Sequence, residues 1–140
     1  MTATATTVSS EPAKASTGVW AGRVLTGLFT AFMIMDLGMK LMRLPIVETT
    51  GRQIGLPAGS GFPIGVGELI FLALYLYPRT SVLGAVLFTG LFGGTAAAHW
   101  MHGDPIASHI LFGVYLGVFA WGGLWLRDAK LRALFPLRRD

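Results

Sequence analysis

The 140-residue sequence contains no cysteine and few charged residues. Without cysteine, the chain can have no disulfide, no thiol nucleophile and no thiolate metal ligand. Charged residues make up only 13% of the sequence, whereas 53% of the residues are hydrophobic, and the mean hydropathy is +0.61. This composition is too apolar for an ordinary soluble domain, so we expect an integral membrane protein.

The apolar residues form continuous blocks instead of alternating with polar residues at the period of a soluble helix. A helix needs about 20 residues to cross a hydrocarbon core of about 30 Å. The blocks predict an all-α fold, a four-helix transmembrane bundle with both termini on the same side. The predicted helices cover residues 19–42, 62–77, 82–100 and 109–126. Glycines at GxxxG spacing in the last two helices would let neighbouring helices approach closely.

The two ends of the chain differ from the apolar middle. Residues 1–18 are rich in Thr, Ala and Ser, which predicts a disordered N-terminal tail. Residues 19–128 form the predicted four-span membrane domain, and residues 129–140 form a basic C-terminal tail. The net charge is +4, but the basic residues flank apolar blocks, a pattern of membrane topology. We therefore expect no nucleic-acid partner.

The distribution of lysine and arginine predicts the orientation in the membrane. With four spans, both termini and the turn at 78–81 share one side. Eight basic residues fall on that side: Lys14, Arg23, Arg79, Arg127, Lys130, Arg132, Arg138 and Arg139. The other side holds Arg43 and Arg52, and also Lys40 if its ammonium reaches the interface. By the positive-inside rule, we expect both termini in the cytoplasm of a bacterial inner (plasma) membrane.

Polar residues interrupt the apolar helices toward the opposite, outer end of the predicted bundle. A charge inside a membrane helix is costly, so it normally faces protein or a water-filled cavity. Asp36 and Lys40 lie one helical turn apart in the favourable acid-first order, and Glu68 shares a helix face with Gly61 and Gly65. The candidate ligand-binding residues are Asp36, Lys40, Glu68, Thr95, His99 and His102.

Four roles for these residues are open at the level of sequence. They could lock the helices together by ion pairs, bind a quinone or another lipophilic ligand, bind a metal through His99, His102, Glu68 and Asp36, or carry protons or small solutes. A His–carboxylate pair in an apolar pocket suits a quinone oxygen. The metal-ligand spacing is loose, so we predict no metal site. Ser81 lies far from every histidine along the predicted helices, so we predict no catalytic residue.

The longest predicted loop covers residues 44–61 and contains a second helical pattern. Ile46, Val47, Thr50 and Ile54 repeat at helical spacing, which predicts a short amphipathic helix on the membrane surface. The loop is either a plain connector or a lid over the mouth of the bundle.

The segment GELIFLALYLYPRTSVLGAVLFTGLFGGTAAAHWMHGDP and the later WGGLWLRDAKLRAL resemble the DoxX-like family of small four-helix membrane proteins. The shared features are the Glu68 helix, the YPRT turn, the glycine-rich run ending near His99, the GDP turn and the WGGLWLRD exit. The IGLP motif at 54–57 also resembles a motif that precedes the family's second helix. The resemblance covers about residues 22–134. It implies four spans with cytoplasmic ends, and for some related proteins a link to redox complexes or quinone-linked sulfur oxidation.

Two functions follow as expectations. The first is an accessory or scaffold subunit of a membrane complex, redox-related in the sense that the resemblance implies, with no catalytic activity of its own. The second is a protein that binds a quinone or another lipophilic small molecule, or an oxidoreductase component, through the outer Asp/Glu/His cluster. The expected partners are the lipid bilayer and a membrane or redox protein, with a homo-oligomer as a further alternative. We predict no cofactor for the first function. For the second function, the candidate cofactor is a quinone.

Overall fold

The computed structural model describes residues 16–137, and every regular element within this range is helical. The elements follow in the order α1 (Thr17–Leu41), α2 (Pro45–Gln53), α3 (Gly61–Leu76), α4 (Ser81–His102), a π-helical turn (Ile106–Ile110), α5 (Phe112–Arg127) and α6 (Ala129–Leu134). Most of the predicted N-terminal tail and the last three residues of the basic tail lie outside the described residues.

Three helical stretches are long and apolar enough to cross a membrane: Thr17–Leu41, Ser81–His102 and Ile106–Arg127. Helix α3 is also apolar but has only 16 residues, which corresponds to about 24 Å along its axis. These findings confirm the prediction of an all-helical protein with apolar, membrane-length helices.

The four apolar helices surround a shared core. Helix α1 packs against α3 and α5, and α4 packs against the same two helices. Between them, the side chains of Phe29, Met33, Tyr75 and Phe88 are almost completely buried. The Phe29 ring meets Tyr75 and Phe88 edge to face, with centroid distances of 5.0 and 5.1 Å, and such pairs add about 0.5–1.5 kcal/mol each. The interior is therefore aromatic and leaves little room for water.

Close helix approaches occur at glycines other than the predicted GxxxG pair of α4. A Cβ added at Gly84 would collide with the backbone of Tyr75, and one at Gly22 would lie 2.9 Å from the Gly123 carbonyl oxygen. By contrast, a Cβ at Gly90 or Gly94 would meet nothing within 4 Å. The prediction that Gly90 and Gly94 bring helices together is wrong within the described residues, because these glycines border an open cavity.

The start of α5 differs from the predicted helix over 109–126. Pro105 ends the extended stretch after α4, and the next residues wind as a π-helical turn in which the Leu111 amide donates to the Ile106 carbonyl. His109 consequently lies in this turn, and α5 begins only at Phe112. A second difference is α6, which forms within the predicted basic tail because the Asp128 carboxylate accepts hydrogen bonds from two backbone amides at its start.

The outward surface of the long helices is strongly apolar. Large hydrophobic side chains such as Val24, Leu28, Val86 and Val118 are more than half exposed. A protein that exposes apolar side chains along its helices and buries a carboxylate between them is suited to lipid surroundings.

Candidate functional site

Three charged side chains meet where α1 ends and α3 passes beside it. The Lys40 ammonium lies 2.5 Å from Asp36 Oδ2 and 2.5 Å from Glu68 Oε1. Asp36 and Lys40 are one turn apart on α1, so their side chains share a face. Glu68 comes from α3, which can approach α1 because a Cβ at Gly65 would lie only 2.8 Å from Lys40 Cβ. We call Asp36, Lys40 and Glu68 the charged triad.

Burial within the charged triad is uneven. The Glu68 side chain is 3% exposed, against 19% for Lys40 and 26% for Asp36. The second carboxylate oxygen of Glu68, Oε2, is buried and has no hydrogen-bond partner in the described residues. An unpaired polar atom at such a depth costs about 1–3 kcal/mol, and more when it carries charge. The triad also holds two carboxylates and only one ammonium.

A second polar group lies at the end of α4. His99 Nδ1 is 2.6 Å from Asp104 Oδ2, and this hydrogen bond lowers the pKa of Asp104. The carboxylate is an acceptor, so Nδ1 of a neutral His99 carries the proton and Nε2 is left as an acceptor. His109 packs edge to face on His99, with 5.4 Å between the ring centroids. We call His99 and Asp104 the His99–Asp104 pair.

A cavity of about 630 Å³ joins the two groups. The charged triad and His99 both line it, and α2 together with the following loop forms a further wall. Gly90 and Gly94 of α4 also line it, and the missing side chains of these glycines contribute its open space. Its volume lies within the range of about 300–1,000 Å³ typical of small-molecule sites. The remaining lining residues are mainly apolar and include Ile46, Ile54, Leu56, Ile64 and Leu91.

Residues 24–123 match the family model described as the DoxX-like family. The match covers well over half of the chain. The chain belongs to the DoxX-like family. The matched range includes every residue that lines the cavity. Comparisons with curated proteins and with solved structures returned no match.

The structure brings five of the six predicted site residues of this DoxX-like protein to the same cavity: Asp36, Lys40, Glu68, Thr95 and His99. The Thr95 hydroxyl donates to the Leu91 carbonyl oxygen of its own helix at 3.1 Å. The sixth residue, His102, does not line the cavity. Its side chain is 46% exposed, and Nε2 lies 3.9 Å from Asp104 Oδ1.

Sequence reasoning missed two carboxylates of the site. Asp104 follows His99 by five residues within the HGDP turn and reaches it only because Gly103, at φ 84°, folds the chain back. Glu48 lies on α2 and lines the cavity, and its Oε2 accepts a hydrogen bond from the Gly59 amide at 3.0 Å. The helical pattern of residues 46–54 signalled α2, but no local pattern showed that Glu48 would face the cavity.

Within residues 16–137, no group of three or more His, Asp or Glu side chains is arranged to hold a metal ion. The open alternative of a metal site formed by His99, His102, Glu68 and Asp36 is therefore not realised there. His99 is hydrogen-bonded to Asp104, His102 does not line the cavity, and Lys40 bridges the two carboxylates.

Proposed function

We propose that this DoxX-like protein binds a small lipophilic molecule in the cavity between α1, α2, α3 and α4. The observation that carries this proposal is Glu68 Oε2, a buried carboxylate oxygen on a residue of the cavity wall that has no hydrogen-bond partner within residues 16–137. A cluster that served only to lock helices together would be expected to satisfy its polar atoms within the protein. A cavity beside it would also weaken the packing that such a lock supports.

The membrane arrangement that we propose has four spans, with both termini in the cytoplasm of a bacterial plasma membrane. The start of α1 packs against the end of α5 through Gly22 and Gly123, which supports placing both ends on one side. The basic residues on that side then outnumber those on the other by eight to two or three. The cavity falls in the outer half of this arrangement.

We propose that α2 is the movable wall of the cavity. None of its residues is fully buried, and α3 is the main helix against which it packs. Its apolar residues Ile46 and Val47 line the cavity, and so do its polar residues Glu48 and Thr50. A helix lying at the membrane interface can move without breaking the core, so a lipophilic molecule can enter from the bilayer.

A second candidate function is that of an accessory or scaffold subunit of a membrane complex. The family resemblance implies that its partner in such a complex is a redox protein. The observation that favours it is an apolar groove of about 390 Å³ between α4 and α5, bordered by Gly93, Gly117 and Trp121. Small residues at such a surface permit close approach of a partner helix. The two functions are compatible, because the groove and the cavity lie on opposite faces of α4.

The binding proposal can be tested with purified protein in nanodiscs of phosphatidylcholine. Three probes of similar length would be titrated: dodecanol, decyl-benzoquinone and dodecylammonium. We expect at least one probe to saturate at one molecule per chain by native mass spectrometry. If all three only partition into the lipid, without saturation, the proposal is wrong. Co-purification of a membrane protein in the same spectra would support the accessory function.

A further inference from the structure

The charged residues that line the cavity are mostly acidic. Asp36, Glu48 and Glu68 contribute three carboxylates, and Lys40 contributes the single ammonium of the lining set. When all four of these groups are ionised, the lining carries two more negative charges than positive charges. Most basic residues lie at the other end of the helices, and Arg43 and Arg52, which lie at this end, do not line the cavity.

Hydrogen-bond acceptors also exceed free donors at the cavity wall. Lys40 uses two of its three N–H bonds for Asp36 and Glu68. The Thr95 hydroxyl donates to the carbonyl of Leu91, and His99 Nδ1 faces the Asp104 carboxylate. His99 Nε2 is left as an acceptor, whereas Glu68 Oε2 is buried and has no hydrogen-bond partner within residues 16–137. A ligand whose polar end only accepts hydrogen bonds, such as a ketone, therefore finds few donors here.

A negative excess in low-dielectric surroundings must be neutralised, because an isolated buried charge costs several kcal/mol. Protons on the carboxylates can supply the positive charge, and so can a cation that enters with the ligand. The cavity favours a cation that enters with the ligand, for two reasons. It has room for a molecule, and its apolar walls, with Ile46, Ile54 and Leu56, suit a hydrocarbon chain attached to the cation.

We propose that the cavity takes a lipophilic monocation, a protonated alkylamine with its ammonium beside Asp36 and Glu68 and its chain along the apolar wall. This inference rests on the proposed function, because it names the chemical class of the ligand for the same cavity. An ammonium supplies both the missing positive charge and the missing N–H donors.

The test compares dodecylammonium with dodecanol at neutral pH in nanodiscs of phosphatidylcholine, which carries no net charge. The two probes share a chain and differ in the charge of the head. We expect dodecylammonium to bind at least ten times more tightly than dodecanol, since opposite charges a few ångströms apart interact strongly at low dielectric. Empty nanodiscs give the partitioning of each probe into lipid.

Two carboxylate variants locate the cation. Asp36→Asn and Glu68→Gln each remove one negative charge, so each should weaken dodecylammonium binding about tenfold and leave dodecanol binding unchanged. Asp128→Asn is the matched control, because Asp128 caps α6 outside the cavity and asparagine caps helices equally well. If Glu68→Gln does not fold, Glu48→Gln on the partly exposed α2 replaces it in the test. We expect Glu48→Gln to weaken dodecylammonium binding about threefold.

The outcomes separate this inference from the proposed function. Equal affinity for dodecylammonium and dodecanol would overturn the cation, while the cavity would remain a lipophilic binding site. Tight dodecylammonium binding that survives both Asp36→Asn and Glu68→Gln would also overturn it, because the charge of the cavity would play no part. Saturable binding of neither probe nor of the quinone analogue would overturn the cation and the proposed function together.

Discussion

At the scale of single residues, Lys40 has the central position in the charged triad. Among the residues that the structure describes, it is the only Lys or Arg that lines the cavity, and its ammonium contacts both carboxylates at 2.5 Å. Removing one partner of a buried ion pair is strongly destabilising, because the remaining charge has no compensation. We therefore expect the free energy of unfolding to fall when one member of the triad is removed.

Replacing Lys40 by methionine should lower the free energy of unfolding by about 3 kcal/mol, because two carboxylates then remain together without a cation. Circular dichroism during denaturant titration in detergent measures this loss. Arg52→Met provides the matched control, since Arg52 is exposed on α2, and its effect should stay within about 0.5 kcal/mol.

The double variant Lys40→Met/Glu68→Gln tests whether charge causes the loss. An amide in place of the Glu68 carboxylate removes one of the two uncompensated charges, so the double variant should be more stable than Lys40→Met by at least about 1 kcal/mol. Additive losses from the two substitutions would contradict a charge interaction between Lys40 and Glu68.

Part of this site could be predicted from the sequence. The i,i+4 spacing joins Asp36 to Lys40 through the geometry of one helix, and a carboxylate in an apolar helix must turn toward protein, which indicates Glu68. The His99–Asp104 pair could not be predicted in this way. It depends on the left-handed conformation of Gly103 and on the Asp104 amide returning to the His99 carbonyl, which are properties of the folded turn.

At the scale of elements, the length of the apolar blocks predicts that a helix is present more reliably than it predicts the residues at which the helix begins and ends. Helix α1 begins at Thr17 because the Ser16 side chain accepts a hydrogen bond from the Val19 amide, whereas the hydrophobic pattern starts only at residue 19. The delayed start of α5 arises from the π-helical turn, for which no pattern was available. The glycine spacing of α4 led to a wrong prediction of close helix packing, because spacing does not show whether a helix or a cavity faces Gly90 and Gly94.

The turn between α4 and the π-helical turn should show a defined pH response. The His99 hydrogen bond holds the pKa of Asp104 below its usual value of 3.8. A group whose pKa is lowered by folding stabilises the fold above its unfolded pKa, and the contribution disappears as the pH falls through the lowered value. Hydrogen exchange of the Gly103 and Asp104 amides should therefore stay constant between about pH 7 and about pH 5, after correction for the intrinsic rate, and rise below about pH 4.

The variant Asp104→Asn is the control for this response. It removes the titrating carboxylate, so the corrected exchange of the same residues should be faster at neutral pH and should not rise further in acid. A wild-type turn that opens already between about pH 7 and about pH 5 would contradict the assignment to Asp104.

At the scale of the whole molecule, the two ends of the helix assembly differ in charge and packing. Within residues 16–137, one end carries the start of α1, the end of α5 and most of the basic residues, and the other carries the cavity and its carboxylates. The absence of cysteine allows this polarity to be measured without background labelling. Single cysteines can be introduced at Lys130 and at Arg52, which are both exposed.

We expect a membrane-impermeant maleimide applied to intact cells to label Arg52→Cys and to leave Lys130→Cys unlabelled. The positive-inside rule puts Lys130 on the cytoplasmic side and Arg52 on the opposite side. Both variants should react after the membrane is permeabilised, which controls for intrinsic reactivity. Labelling of Lys130→Cys in intact cells would contradict the proposed orientation. Labelling of both variants would also contradict the three spans, α3, α4 and α5, that separate Arg52 from Lys130 in this arrangement.

The central claim is that the cavity beside the charged triad binds a ligand, and filling the cavity tests it most directly. Gly94 lines the cavity and Gly93 lines the groove on the other side of α4, and a Cβ at either position meets no atom within 4 Å. Gly94→Leu and Gly93→Leu therefore add the same side chain to the same helix, one residue apart, in opposite surroundings.

The measurement is the saturable binding of dodecylammonium to both variants and to the unaltered protein, by native mass spectrometry from phosphatidylcholine nanodiscs. We expect Gly94→Leu to fold and to lose binding by more than tenfold, because leucine occupies the space of the ligand, whereas Gly93→Leu should bind as the unaltered protein does. Unchanged binding to folded Gly94→Leu would contradict the claim that the ligand lies in this cavity.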